Sequence, residues 1–155
     1  MTAPSVSVVI PTRNRLESLQ QTLGALARQT HDAALFEVLV GDDGSSDGTA
    51  AFLAAPPKYA FSLRSVRAPG SGPAAARNRA IRLARAPRVL LLGDDTFPEP
   101  DVLARHLEAA AGRALGVQGR IEWDPAAPIT PVMRFLAPEG PQFYFKGLEN
   151  GQPIP

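Results

Sequence analysis

Val6-Ser-Val-Val-Ile-Pro-Thr-Arg-Asn-Arg15 begins with a β-branched run, closes it with Pro11 and continues as a polar turn. Branched side chains fit a pleated surface, and a short unbroken apolar run suits a strand buried on both faces of a parallel sheet. Immediately downstream, Leu16, Leu19, Leu23, Leu26 and Ala27 recur at spacings of three and four. That period predicts an amphipathic helix over Leu16–Ala27, with Asn14 as its cap.

The same unit of strand, polar turn and helix then repeats. Phe36–Val40 is a second apolar run, followed by the turn-rich Gly41–Gly48 and a helical stretch from Thr49. A third strand is expected within Tyr59–Val66, then the loop Ala68–Pro73 and an alanine and arginine helix over Ala74–Ala84. Val89–Leu92 reads as a fourth strand broken by Gly93, Asp94 and Asp95, ahead of a helix over Asp101–Ala111. Leu115–Ile121 reads as a fifth strand.

Strands alternating with helices require right-handed crossovers, which implies an α/β domain: a mostly parallel sheet with helices on both faces. Ligands of such folds bind beyond the carboxyl ends of the strands. Polar turns fall at those ends in Pro11–Arg15, Asp42–Asp47 and Asp94–Thr96, so the site is expected where they meet.

Bulk composition narrows the chemistry. The 155 residues carry 16 Lys and Arg against 15 Asp and Glu, with no dense basic run, so nucleic acid is not the expected partner. Without cysteine there is neither a disulfide framework nor a thiolate metal site, which leaves carboxylates, carbonyls, imidazole and water for any divalent ion. The start of the chain lacks a secretory pattern and no apolar stretch approaches a membrane span, giving a cytoplasmic expectation with no transmembrane segment. Prolines gather late, at 125, 128, 131, 138, 141, 153 and 155. The expected organisation is therefore an α/β domain over 1–122 and a proline-rich tail over 123–155 that lacks another ordinary helix or central strand. Phe143, Tyr144 and Phe145 form an apolar cluster expected to dock on the domain.

Val6–Arg15 resembles the opening strand and turn of family 2 glycosyltransferases of the GT-A fold. Val40-Gly-Asp-Asp-Gly-Ser-Ser-Asp-Gly-Thr49 is similar to that family's second-strand turn. Gly72–Ala80 is similar to its glycine, arginine and asparagine segment, and Leu92-Gly-Asp-Asp-Thr96 to its DXD-type motif. A paired Asp alone is common, whereas these motifs occur in order, each at a strand end or helix start.

The resemblance implies a truncated GT-A domain whose partners are a nucleoside diphosphate sugar, UDP-linked by preference, and an acceptor that the sequence does not identify. The implied activity is that of an inverting glycosyltransferase, or its donor-binding portion, assisted by Mn²⁺ or Mg²⁺. The alternative is a catalytically incomplete module that binds the nucleotide sugar. By position, Pro11, Thr12 and Arg13 line the nucleobase pocket, and Arg13 stands where many relatives place an aromatic; a guanidinium also stacks on a planar base. Asp43 matches the acceptor for the uracil imide, and Arg77 the segment that approaches base or diphosphate. Asp95 is the expected metal ligand, and Asp94 a contact to ribose or to a metal-bound water.

Turn chemistry also explains Asp43, Asp94 and Asp95, and Asp47 with Thr49 suits a helix cap. His31 and His106 lack ligand spacing. Trp123 suits either a sugar cover or a lid on the core. The acceptor-side carboxylate that would serve as base has no matching motif here, so no catalytic residue is assigned. A receiver-type domain would need its acidic pair after the first strand, and a dinucleotide fold a Gly-x-Gly-x-x-Gly there; Pro11-Thr-Arg-Asn14 is neither.

Overall fold

The computed structural model describes residues 3–111, 116–124 and 126–136. The chain divides into two compact units between Leu107 and Glu108. In the first, β1 (Val6–Thr12), β2 (Phe36–Asp42), β3 (Ser62–Arg67) and β4 (Val89–Leu91) form one sheet in the order β3-β2-β1-β4. Every pairing is parallel, with Thr12 opposite Asp42 and Asp42 opposite Arg67. The crossovers are made by α1 (Leu16–Leu26), α2 (Thr49–Ala54) and α3 (Pro73–Ile81), and α4 (Val102–Ala109) follows β4.

Side-chain alternation sorts the strands onto two layers. Val6, Val8 and Ile10 of β1, with Phe36, Val38 and Val40 of β2, pack against Leu19, Leu23 and Leu26 of α1 and Leu103 of α4. Val9 and Leu39 point the other way, against Ala80 of α3 with Ile81 and Leu83 beside it. Both central strands are therefore buried throughout, which is why they read as mostly apolar runs rather than alternating ones, broken only by Ser7 in β1 and Glu37 in β2 before the polar strand ends. Complete burial of a leucine such as Leu19 or Leu23 contributes roughly 2 kcal/mol.

The α3 layer also contains a buried polar network. Glu37, 2% exposed, accepts from Ser7 Oγ, Arg64 Nη2 and the Arg85 amide, each at 2.7 Å. Arg64 also donates to the Leu83 carbonyl, so one ion pair fastens three strands to the end of α3. Elsewhere α3 approaches β2 so closely that a Cβ at Gly41 would collide with the Ala76 carbonyl.

Two sequence expectations need correction. Residues 116–121 form no strand, and Gly116 and Gly119 are the residues that weaken that run; Leu115 lies outside the described residues. The proline-rich tail contains a six-residue helix, α5 (Pro131–Leu136). Its proline occupies the first helical position, where the missing N–H has no partner to lose. Trp123 is fastened within the second unit, its indole N–H donating to the Met133 carbonyl at 2.9 Å. Phe143, Tyr144 and Phe145 lie outside the described residues. No helix among the described residues is long and apolar enough to cross a membrane.

Candidate functional site

Backbone bonds bring the polar turns to one rim of the sheet. The Asp43 amide donates to the Thr12 carbonyl at 2.9 Å, the Ala68 amide to the Asp42 carbonyl, and the Leu92 amide to the Val9 carbonyl at 3.0 Å. Each strand thus hands its chain to a turn at the carboxyl end of its neighbour.

Asp94 is the most heavily bonded residue of the turn after β4. Its Oδ2 accepts from Thr12 Oγ1 at 2.8 Å, and its carbonyl from Ser18 Oγ at 2.8 Å and Thr22 Oγ1 at 2.9 Å. Burial of this carboxylate is compensated by the Thr12 hydroxyl and by Arg15, whose Nη1 lies 3.3 Å from Asp94 Oδ1. The same Arg15 nitrogen donates to Asp95 Oδ2 at 2.6 Å. Asp95 projects outward, its side chain 59% exposed. The hydrogen bond that Arg15 donates to Asp95, followed by the charges of Asp94 and Asp95, holds the Arg15 guanidinium even more firmly protonated than usual.

Asp43 forms the opposite end of the rim. Its buried carboxylate accepts from the Ser71 amide at 2.7 Å and from the Gly72 amide at 3.1 and 3.0 Å, with Arg13 Nη1 at 3.6 Å. These bonds suspend the loop between β3 and α3 above the turn after β2. Gly44, with φ +80°, permits the approach: a Cβ there would stand 3.1 Å from the Gly70 amide and 3.3 Å from the Ala68 carbonyl. Beneath it, Asp42 Oδ1 accepts from the Ser45 amide at 2.9 Å, while Oδ2 is buried without a hydrogen-bond partner, 3.7 Å from Arg67 Nε.

Asn14 does not cap α1. It adopts the left-handed conformation, φ +52°, which asparagine tolerates better than most residues, and its side-chain oxygen accepts from the Ser46 amide at 2.7 Å. The first amide of α1, that of Leu16, instead donates to Asp47 Oδ2 at 3.1 Å. The other oxygen of Asp47 accepts from the Thr49 hydroxyl at 2.6 Å and the Thr49 amide at 3.1 Å. The Thr49 hydroxyl bond, opposed in part by burial and reinforced by the amides of Thr49 and Leu16, holds the Asp47 carboxyl below its ordinary range.

The expected site residues fall into a connected group and one outlier. Pro11 and Thr12 are buried at the end of β1, Arg13 leans toward Asp43, and Thr12 bridges Asp43 to Asp94 and hence to Asp95. Arg77 stands on α3; its Nε is buried without a hydrogen-bond partner, and among the described residues it has no ion pair. Sequence reading passed over Arg15, Ser18 and Thr22. Ser18 and Thr22, four apart, lie on the α1 face that meets Asp94, and Arg15 immediately precedes that helix. The histidines take part in other contacts: His31 Nε2 is 3.0 Å from Ser5 Oγ, and His106 Nδ1 is 2.9 Å from the Val102 carbonyl.

Among the described residues, no three His, Cys, Asp or Glu side chains gather into a metal-binding cluster. Asp94 and Asp95 fit the lesser requirement of a hard cation that takes one or two carboxylates and completes its shell with phosphate oxygens and water. The sequence pattern described as Glycosyl transferase family 2 matches residues 7–145. The chain belongs to this family.

Relatives and solved structures agree with that membership. The validoxylamine A glucosyltransferase of Streptomyces hygroscopicus is 41% identical over 116 residues, 72% of this family 2 chain but only 26% of the relative. The mannosyltransferase PcManGT of Pyrobaculum calidifontis, solved with GDP-Man and Mn²⁺, superposes with a TM-score of 0.65 at 28% identity over 75% of this chain and 35% of that one. TarS of S. aureus, solved with UDP-GlcNAc, gives 0.61 at 26% identity over 75% and 37%. The fold is thus the GT-A type expected from the sequence, a parallel sheet with helices on both faces, and the family 2 chain spans between a quarter and two fifths of the length of these proteins.

Proposed function

We propose that this chain forms the donor-binding part of an inverting, cation-assisted glycosyltransferase, with a nucleoside diphosphate sugar laid along the rim from Asp43 to Asp95. The observation that carries this reading is Thr12, which contacts Asp43 through its carbonyl and Asp94 through its hydroxyl. One short strand end thereby joins the nucleobase side to the diphosphate side.

In this reading Pro11, Thr12 and Arg13 line the nucleobase pocket, and Arg77 approaches base or diphosphate. An ionised carboxylate offers about four acceptor positions, so the bonds to Ser71 and Gly72 leave Asp43 room for one further donor such as the imide of uracil. That capacity supports a UDP-linked sugar as donor. PcManGT with GDP-Man and TarS with UDP-GlcNAc support a nucleotide sugar in general.

Asp95, open to solvent, is the metal ligand in this reading, with Asp94 placed toward the ribose or a metal-bound water. A bound Mn²⁺ or Mg²⁺ neutralises charge on the departing diphosphate. Direct displacement at the anomeric carbon needs a carboxylate that deprotonates the acceptor hydroxyl, and no residue described here is assigned that role.

Titration of UDP, GDP and CDP with and without Mn²⁺, in wild type and Asp95→Ala, tests the reading. The expected result is cation-dependent binding that weakens roughly tenfold or more in Asp95→Ala. Binding indifferent both to Mn²⁺ and to the substitution would overturn it.

A further inference from the structure

The place a divalent cation would take beside Asp95 is already held by a positive charge. Arg15 Nη1 donates to Asp95 Oδ2 at 2.6 Å and lies 3.3 Å from Asp94 Oδ1, so a single guanidinium nitrogen bridges the pair. The second oxygen of Asp94 is committed to the Thr12 hydroxyl, and the Asp94 carbonyl to Ser18 and Thr22. A cation that spans both carboxylates would therefore share oxygens with Arg15, since Asp95 Oδ1 is the one carboxylate oxygen of the pair without a hydrogen bond among the described residues. The Arg15 side chain is 53% exposed and its side-chain hydrogen bonds among the described residues go only to these two carboxylates, so no further polar contact among them holds the guanidinium in place.

We propose that Arg15 is a resident counter-ion of the Asp94–Asp95 pair that competes with the divalent cation, so that cation binding proceeds by expelling the guanidinium from the two carboxylates. The inference rests on reading Asp94 and Asp95 as the cation side of the donor site. Two adjacent carboxylates without a counter-charge repel each other, and Arg15 removes that repulsion while no metal is present. The same neutralisation lowers affinity for metal, because a cation entering beside Arg15 meets a like charge within a few ångströms. Cation affinity in the absence of nucleotide is then set low by the protein. The diphosphate, which brings its own oxygens to the metal, supplies the remaining attraction.

Electron paramagnetic resonance of Mn²⁺ added to the nucleotide-free 155-residue chain measures the competition directly. Arg15→Gln, which keeps a polar side chain and removes the charge, is expected to tighten Mn²⁺ binding roughly three- to tenfold. Arg15→Lys is expected to remain near wild type. In the unmodified protein, the Arg15 Nε–Hε resonance should shift as Mg²⁺ saturates, a measurement that needs no variant to fold. Mn²⁺ binding in Arg15→Gln no tighter than wild type, equal tightening in Arg15→Lys, or an Arg15 resonance unmoved at saturating Mg²⁺ would each overturn the proposal.

Asp95→Ala with UDP present separates this outcome from failure of the underlying reading. If Asp95→Ala loses the cation while Arg15→Gln matches wild type, only the competition fails. If Asp95→Ala retains the cation at full affinity, or if no variant takes up Mn²⁺ even with UDP, both fall together.

Discussion

Thr12 Oγ1 donates to Asp94 Oδ2 at 2.8 Å across 82 positions of sequence, joining the end of the first strand to the turn after the last. Both residues are buried, at 4% and 7% exposure, so water cannot replace the bond freely.

Thr12→Val removes the hydroxyl, keeps the shape and leaves a buried carboxylate oxygen without its donor. An unsatisfied buried group costs about 1–3 kcal/mol. Urea denaturation should show a loss in that range, together with weaker nucleoside diphosphate binding. A variant as stable as wild type would mean that Asp94 finds another donor.

Asp43→Ala removes the acceptor for the Ser71 and Gly72 amides. Hydrogen exchange at those two amides should accelerate while the Val8 and Val38 amides stay protected. If Asp43 also reads the base, any preference for UDP over GDP and CDP should disappear while part of the diphosphate affinity persists. An unchanged base ranking would leave Asp43 with loop support alone.

Gly41→Ala places a methyl group against the backbone carbonyl of Ala76, which cannot swing aside as a side-chain end can. Forcing α3 off β2 should cost about 1–3 kcal/mol, read as a lowered melting temperature. A melting temperature unchanged from wild type would show that α3 yields without cost.

Glu37 gives the fold a pH limit. Burial pushes its carboxyl up, but the bonds from Ser7, the Arg85 amide and Arg64, with the Arg64 charge, outweigh burial and hold it below the ordinary glutamate range. A carboxyl whose folded value is depressed stabilises the protein above the unfolded value, about 4.3, and that contribution is lost as pH falls from there through the folded value. Glu37→Gln should flatten this acidic part of the stability curve. Urea midpoints measured between pH 3 and 6 that fall equally steeply in both proteins would count against the assignment.

Much of this arrangement was legible in residues. Val6–Ile10 and Phe36–Val40 announced buried strands because burial on both faces favours apolar side chains, Ser7 and Glu37 being admitted through the hydrogen bond between them, and the turns were marked by Gly41–Gly48 and Gly93–Asp95. Helix boundaries were less legible: α3 stops at Ile81 although arginine and alanine continue, since those types favour helix whether or not the backbone turns away. The cap of α1 was misread because its acceptor, Asp47, lies 31 positions away and local preference pointed to Asn14. The fifth strand failed for a related reason: Val117 and Ile121 favour a strand while Gly116 and Gly119 do not, and a strand exists only in its ladder. Arg15 was missed because a surface arginine beside an asparagine looks generic until the turn after β4 is folded against it.

The double attachment of Asp47 bears on how such a protein can be re-engineered. One carboxylate anchors the start of α1 and that of α2 through Leu16 and Thr49. Grafting a foreign 43–48 turn to change donor choice would therefore remove the cap from a helix that the graft never touches, at a cost of about 1 kcal/mol, unless residues 12–18 travel with it. The two segments are a single cassette split by the fold, and libraries that randomise one while freezing the other lose the hydrogen bonds that join them.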